Sequence, residues 1–385
     1  MKKIKVAIIT TDNREPDRTY SETTPRFAPG TTSLFQGFPL LKEIEVHVIS
    51  CTQQPVISSP EKLEQNIWFH SLHVPKIGWL RTFYQGCIRA VRRKLRELQP
   101  DLVHGWGTER ECAISAALSG FPNVVTIQGN MIGQAQMTRP RPGSYLWLAA
   151  RLEKFALART RGVFCNSTYT QNLVQPYTRK TWLSPHALRL AFFQPPPDRG
   201  PRPCVLLNAG VVSPRKRQLE LLVIAETLRQ RGLKCEFHFI GFTPLSPYAT
   251  AFLEKIKQSE AKGCARFLGA LPDHELVKGY DAVAGVVHFP TEEAFGNVVG
   301  EALARNLKFF GSRVGGIVEI TKDAPDAELF APDDWAGLTD AVAGWVARGH
   351  PRPDDAHSLM VSRYHPGKVA RQHLEIYREV LNTNS

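Results

Sequence analysis

A chain of 385 residues that is 43% hydrophobic and 22% charged has the make-up of an ordinary globular protein, and its length points to two domains, each able to bury a core. The formal net charge of +12 calls for an anionic partner: nucleic acid, anionic lipid or a phosphate-bearing small molecule. Seven scattered cysteines (51, 87, 112, 165, 204, 235, 264) with no CxxC pair argue for reduced thiols in a cytoplasmic protein and against a zinc site.

The N-terminal MKKIKVAIITTDN has a basic start, but its apolar run at 6–9 is too short for a signal peptide and reads as a first buried strand. No run of roughly 18 apolar residues is present, so no membrane-spanning helix is expected. Strand-like runs follow at 5–10, 46–50, 67–74, 101–105, 123–129 and 162–167, with helical patterns between several of them, notably 81–98 and 144–160. That alternation predicts βα units on a parallel sheet. FFQPPPDRGPRP, 192–203, then interrupts the pattern with five Pro and reads as a linker. A second set of strand-like runs lies at 204–210, 235–241, 265–270, 282–290 and 308–312, with helical patterns at 217–231, 249–260, 297–305, 334–348 and 366–382. The expected fold is α/β, with two Rossmann-like doubly wound domains at 1–195 and 204–365 joined by a linker at 196–203. In such folds ligands bind beyond the carboxyl ends of the strands, and the cleft between two such domains is the expected site.

HFPTEEAFGNVVGEALARN, 288–306, carries the most chemistry. It reads as a strand, a loop and a helix, with Glu293 in the loop and Glu301 one turn into the helix. Gly296 lets a ligand approach the backbone, and the amides of residues 297–299 form a helix N-terminus, where phosphate binds. A carboxylate is an acceptor only, so each Glu suits sugar hydroxyls. The arrangement therefore suits a nucleotide diphosphate sugar. The plain alternative is a capping loop with two solvated Glu.

With this context, EAFGNVVGEALARNLKFFGSRVGGIVEI resembles the signature of the retaining glycosyltransferases of family four, which have the two-domain GT-B fold. NAGVVSPRKRQLELL at 208–222 is similar to that family's strand, loop and helix bearing a phosphate-binding Lys. ARFLGALPDHELVKGYDAV resembles the segment that holds the base, and LRELQPDLVHGWGTE and NVVTIQG resemble first-domain elements. RYHPGKVARQHLEIYREVL resembles the helix that crosses back, so 366–385 would pack on the first domain.

The resemblance implies these roles. Glu301 would hold the ribose hydroxyls and Glu293 the transferred sugar. The backbone of Gly296, Asn297 and Val298 would hold the diphosphate, and Lys216 would neutralise it. Gly269, Ala270 and Leu271 would line the base. In the first domain APGTT, taken as the loop after the first strand, would bring Gly30 and Thr31 against phosphate or sugar. The chain departs from the family at two places: Val211 stands where an Arg is usual, with Arg215 or Arg217 as substitutes, and Gln128 stands where a His is usual. No Asp-x-Asp is present, in keeping with a metal-independent mechanism with no cofactor beyond a UDP- or GDP-sugar donor.

HGWGTERE, 104–111, fails as a dinucleotide fingerprint because the third Gly is missing, and reads as a tight strand-end turn, with His104, Thr108 and Glu109 as alternative cleft contacts. His186 reads as a packing or surface residue, and Asn166–Ser167 as a helix or turn cap. In RTFYQGCIRAVRRKLREL, 81–98, Phe83, Cys87, Val91, Leu95 and Leu98 form one stripe, and six basic residues lie elsewhere. That face is either a solvated helix surface or a patch for anionic lipid.

The expected function is a cytoplasmic hexosyltransferase of polysaccharide biosynthesis, peripheral at the inner face of the membrane. Its acceptor would be a glycan, a lipid-linked sugar or a small molecule. Alternatives are a hydrolysing sugar-nucleotide epimerase on the same fold and a nicotinamide-dependent Rossmann oxidoreductase; the second lacks a GxGxxG after strand one. The intact pair of glutamates argues against a noncatalytic or nucleic-acid binder.

Overall fold

The computed structural model describes residues 3–195, 203–353 and 355–382. The linker expected at 196–203 therefore lies, apart from Pro203, outside the described residues. Residues Met1–Arg189 with His365–Ser385 form one compact unit, and Leu190–Tyr364 form the other.

The first unit is built on β1 (Ile4–Thr10), β2 (Ile44–Thr52), β3 (Lys62–Glu64), β4 (Ile67–His73), β5 (Leu102–Trp106), β6 (Asn123–Thr126), β7 (Val163–Cys165) and β8 (Thr181–Leu183). Their order across the sheet is β3-β4-β2-β1-β5-β6-β7-β8, parallel throughout except for the β3–β4 hairpin. The second unit holds β9 (Val205–Ala209), β10 (Glu236–Ile240), β11 (Ala265–Phe267), β12 (Gly285–His288), β13 (Lys308–Ser312) and β14 (Ala327–Phe330). These run β11-β10-β9-β12-β13-β14, all parallel. Helices cover both faces, so the central strands are continuous apolar runs rather than alternating ones. The last five residues of β1 and all of β9, β12 and β13 are buried. In each sheet the strand order reverses beside the first strand, between β1 and β5 and between β9 and β12. The carboxyl ends at those two points are where a doubly wound sheet offers a crevice.

Three strands were not expected from the sequence, β3, β8 and β14. All lie at sheet edges and none holds a buried residue, so they lack the apolar run that marks a central strand.

Two further expectations change. The basic helix runs from Gln85 to Leu98, and Phe83 precedes it with φ 51° and 54% exposure, so Phe83 is not part of the buried stripe of Cys87, Val91 and Leu95. APGTT is not a loop: Ala28 is the cap and Pro29 the first residue of the helix Pro29–Gly37, which puts Gly30 and Thr31 in its first turn. Proline fits that position because its fixed φ suits a helix and its missing N–H would have had no partner there.

The C-terminal helix Pro366–Asn382 packs on the first unit. A Cβ on Gly37 would strike the Pro366 carbonyl, so the two helices touch backbone to backbone. Tyr377 Oη is 2.7 Å from His104 Nδ1, whose Nε2 is 2.6 Å from Thr126 Oγ1. The His373 ring stacks on Phe164 at 4.8 Å, and its Nδ1 lies 2.9 Å from Val369 O. His104 is thus a core residue and not a cleft contact. Thr108 is likewise turned inward, bonding Gly129 O at 3.1 Å.

Burial pushes His373 down to about 4, and burial with the His373 ring beside it pushes His104 well below its ordinary value. Unfolding lets both take up protons near pH 6.5. A folded-state pKa below the unfolded one leaves stability whole above about pH 6.5, and removes it as the pH falls toward 4. The unfolding free energy from urea titration should therefore fall between pH 7 and 5, with His373 contributing about 2 kcal/mol of the loss at pH 5 and His104 acting in the same direction. His373→Gln should flatten that slope. A slope identical in parent and variant would remove His373 from the account.

Candidate functional site

Glycines end three neighbouring strands of the second unit. Gly210 (φ 149°), Gly241 (φ 157°) and Gly269 (φ 70°) follow β9, β10 and β11 in conformations other residues rarely adopt. Their backbones are laced together: Gly210 N–H donates to Ile240 O at 2.8 Å and Gly241 N–H to Gly269 O at 2.9 Å. A Cβ on Gly241 would overlap the Gly210 carbonyl. The strand ends therefore present a low backbone ridge. Gly269, Ala270 and Leu271 lie at its outer end, two strands from β9; Ala270 is exposed and Leu271 half-buried.

The chemistry gathers at the reversal point between β9 and β12. Lys216 lies in the loop after β9, and a Cβ on Gly210 would be 3.8 Å from its Cε. Its ammonium pairs with Glu293 Oε2. His288, the last residue of β12, is fully buried and sets Nε2 3.0 Å from the same carboxylate oxygen and 3.3 Å from Lys216 Nζ. Burial alone would raise Glu293, but Lys216 and the His288 contact outweigh it and hold the carboxyl well below its usual range. Burial lowers Lys216 against the opposing pull of Glu293. Burial and the Lys216 charge push His288 down to about 4, so at neutral pH its imidazole is neutral beside the Lys216–Glu293 ion pair.

The loop bearing Glu293 is clamped from behind. Gly316 N–H donates to Glu293 O at 3.0 Å, and a Cβ on Gly316 would lie 2.5 Å from Phe295 O. Gly315 has φ 46°, and its Cβ would fall on the Glu293 carbonyl oxygen. The Gly-Gly of SRVGGIVEI is thus explained by close approach of two backbones.

Gly296 caps the helix Asn297–Ala304 with φ 104°. Of the three amides expected there, Val299 N–H is already spent on Gly296 O at 2.9 Å. The amides of Asn297 and Val298 meet no acceptor among the described residues, and Asn297 Oδ1 is buried without a partner. Glu301, 3% exposed, accepts a hydrogen bond at 3.2 Å from the Oη of Tyr280, a residue of the helix Asp273–Asp281.

Of the two substitutes for the usual Arg, Arg215 stands beside the site, exposed, with its guanidinium 3.3 Å from Glu292 O. Arg217 is turned away. It takes a left-handed backbone, bonds Pro332 O and Asp333 (2.9 Å), and lies over the Trp335 ring.

Within the first unit, Gly30, Thr31 and Gln128 come together. Gln128 Nε2 is 3.5 Å from Thr31 Oγ1, and a Cβ on Gly30 would touch the His186 ring at 3.0 Å. His186 is therefore a packing partner of Gly30, and Ser167 caps the helix Thr168–Val174. Glu109 bonds Gly129 N–H and is held back as a turn residue. Sequence reasoning missed His288. The segment VVHFP, 286–290, holds the only signal, a histidine closing an otherwise apolar strand.

The description "Glycosyl transferases group 1" matches residues 194–357, and "Glycosyltransferase Family 4" matches residues 40–181. No curated protein matches the chain by sequence. Solved structures match almost end to end at low identity. Sucrose-phosphate synthase from Thermosynechococcus elongatus is 15% identical with a TM-score of 0.77, over 99% of this chain and 100% of that one. HepE from Anabaena, solved with UDP-glucose, is 15% identical with a TM-score of 0.69, over 98% and 100%. The α,α-trehalose 6-phosphate synthase from Burkholderia multivorans is 10% identical with a TM-score of 0.68, over 100% and 98%.

Proposed function

Because this chain belongs to the group 1, family 4 glycosyltransferases and has their GT-B fold, we propose that it is a retaining, metal-independent enzyme moving a hexose-type sugar from a UDP- or GDP-sugar to a glycan, lipid-linked or small-molecule acceptor. The observation that carries this reading is the Lys216–His288–Glu293 group beside the amides of Asn297 and Val298, at the reversal point of the second sheet.

In this reaction the bond between the anomeric carbon and the diphosphate oxygen breaks, and its electron pair leaves with the diphosphate. The acceptor hydroxyl oxygen bonds the anomeric carbon on the same face and gives its proton to the departing phosphate oxygen, so the configuration is retained. Lys216 and the helix N-terminus stabilise the charge that develops on the diphosphate. As the phosphates draw Lys216 off, Glu293 is released to accept hydroxyl hydrogen bonds from the sugar, with His288 keeping its carboxylate in place. Glu301, backed by Tyr280, accepts from the ribose hydroxyls.

Thermal stabilisation by UDP, GDP, ADP and NADH, with the matching nucleotide sugars, tests this directly. A ligand at ~100 times its Kd adds roughly 2.7 kcal/mol. UDP or UDP-glucose is the first to try, given the neighbour solved with it. Turnover should persist in EDTA, and NMR of the product should show retained configuration. Stabilisation by NADH alone would overturn the reading, and an epimerised free sugar as product would assign the epimerase.

Glu301→Ala should weaken binding of the nucleotide itself by about tenfold or more, since a charge-assisted hydrogen bond is worth ~1.5–3 kcal/mol. Glu293→Ala should spare free nucleotide and impair transfer. Parental behaviour of both variants would mean that this loop is not the site.

We further propose that the helix Gln85–Leu98 meets an anionic membrane. Arg89, Arg92, Arg93 and Arg96 are exposed on it, and Ile77 (75% exposed) and Phe83 (54%) stand in the turns just before it. No helix among the described residues is long and apolar enough to cross a membrane. Each cation near a negative surface adds ~1 kcal/mol, so binding to phosphatidylserine vesicles should fall steeply with salt. Equal recovery on phosphatidylcholine vesicles, or none on either, would reject it.

A further inference from the structure

A polar cavity of about 390 Å³ opens in the first unit at the carboxyl ends of β1, β2 and β5. Glu15, Arg18, Tyr20, Gln53, Lys76 and Arg110 line it. Residues 14–20 follow β1, Gln53 follows β2 directly, and Arg110 follows β5, so the cavity sits at the reversal point of the first sheet, as the donor group does in the second. Its volume falls in the range of about 300–1,000 Å³ common to small-molecule pockets.

The walls are built rather than accidental. The segment after β1 is pinned by Arg14, which is fully buried, paired with Asp12 at 2.7 Å, and bonded to Glu22 O (2.9 Å) and Ser59 Oγ (2.9 Å). Glu15, with a 3% exposed side chain, accepts from Tyr20 Oη (2.9 Å), Gln53 N–H (2.7 Å) and Arg110 Nη2 (3.3 Å). Arg110 also lies 3.6 Å from Glu111 and stacks over the Trp79 ring at 4.8 Å. The Glu15 and Arg110 charges therefore answer each other within the wall. Arg18 and Lys76 differ: both are exposed at the cavity, and neither has an ion-pair partner among the described residues. These two are the cavity's cations that no carboxylate among the described residues answers.

A phosphate monoester carries about −1.5 to −2 at neutral pH with three acceptor oxygens, whereas a sugar carboxylate carries only one negative charge. Arg18 offers a fork for such oxygens and Lys76 a point charge, while Tyr20 and Gln53 are placed for hydroxyls. We propose that this cavity is the acceptor subsite, and that the acceptor carries a phosphate monoester close to the hydroxyl that is glycosylated. The proposal rests on the glycosyltransferase reading and narrows its acceptor class. A soluble sugar phosphate and a lipid headgroup are two sources of this one chemistry, and the test separates them.

The test is calorimetry on the full chain with glucose 6-phosphate, fructose 6-phosphate, inorganic phosphate, glucose and glucuronate, together with UDP. Glucose 6-phosphate or fructose 6-phosphate should bind, glucose and glucuronate at least tenfold more weakly. The paired substitutions Arg18→Gln and Lys76→Gln, both at exposed positions, should weaken the sugar phosphate at least tenfold and leave UDP binding unchanged. Phosphatidic acid vesicles, in place of a soluble sugar phosphate, would assign the phosphate to a lipid if their binding is lost in the same variant. Glucose or glucuronate binding as tightly as the phosphates would overturn the proposal. So would a variant that binds them like the parent, or no response to any phosphate. The UDP arm keeps the two readings apart: UDP binding with no phosphate response removes this subsite alone, and absence of UDP binding removes the glycosyltransferase site itself.

Discussion

Lys216→Met should lower the rate of sugar transfer by about a hundred- to a thousand-fold, the size of effect seen when one pre-placed group is removed from a charge that develops in a transition state. The side chain is 12% exposed, its ammonium pairs with Glu293, and its stem passes close to Gly210. Methionine keeps much of the volume and removes only the charge. Because the same ammonium also meets the ground-state diphosphate, UDP binding should weaken by roughly ten- to a hundred-fold. Folding stability should fall too, by up to about 3 kcal/mol, since Glu293 is left with His288 alone in a mostly buried place. Lys216→Arg should restore little, because a planar guanidinium does not fit where a compact cation on a flexible stem lies beside Gly210 and His288. Steady-state assays of nucleotide release with urea unfolding of the same proteins read all three effects. Parental turnover in Lys216→Met would mean that the leaving group is stabilised elsewhere.

Gly316→Ala should be nearly as damaging, although Gly316 contributes no functional atom. Its φ is not in the left-handed region, so alanine carries no backbone strain of its own there. The added methyl would instead sit 2.5 Å from Phe295 O and 2.7 Å from Ala294 O, which are backbone atoms of the loop that presents Glu293. That loop has to move, and Glu293 moves with it. A destabilisation on the order of 1–3 kcal/mol and a large loss of transfer are expected. Gly232→Ala is the control. Gly232 has φ 79° with nothing within 4 Å of a Cβ, so it should lose about 1–2 kcal/mol from backbone strain and keep full activity. Comparable activity loss in both would show that stability, not loop position, sets the rate.

Most of the candidate site's layout was legible in the sequence, because its parts are local. Gly296, Asn297, Val298 and Glu301 sit on one short turn and helix, and Lys216 lies seven residues after β9. The pairing of Lys216 with Glu293 was not, since 77 residues separate the two and only the β9–β12 register brings them together. His288 escaped for the same reason. A histidine at a strand end is unremarkable in one dimension, and becomes part of the group only when Lys216 arrives from the neighbouring strand. Arg217 shows the converse. Two residues after Arg215 it looked equally available, and its left-handed backbone turned it onto Trp335 instead.

The sequence by itself determined the elements whose cause is local: the continuous apolar runs of the central strands and the helix Asn297–Ala304 with Gly296 at its start. It also determined the fold class, because strands buried on both faces and separated by amphipathic helices have few other ways to cover their surfaces. The tertiary structure decided what depends on distance across the sheets. The edge strands β3, β8 and β14 exist because a neighbour supplies their hydrogen bonds and not because their side chains are apolar. His104 is a core residue because the C-terminal helix covers it, and His373 because it lies on the face of that helix turned to His104, which no pattern at 104 could announce. Charge followed the same rule. The net charge of +12 is read from the sequence, but only the fold decides that Arg14, Arg110 and Lys216 are answered by nearby carboxylates while Arg18 and Lys76 face an open cavity. An ion pair needs two groups within about 4 Å, and that is a property of the folded chain.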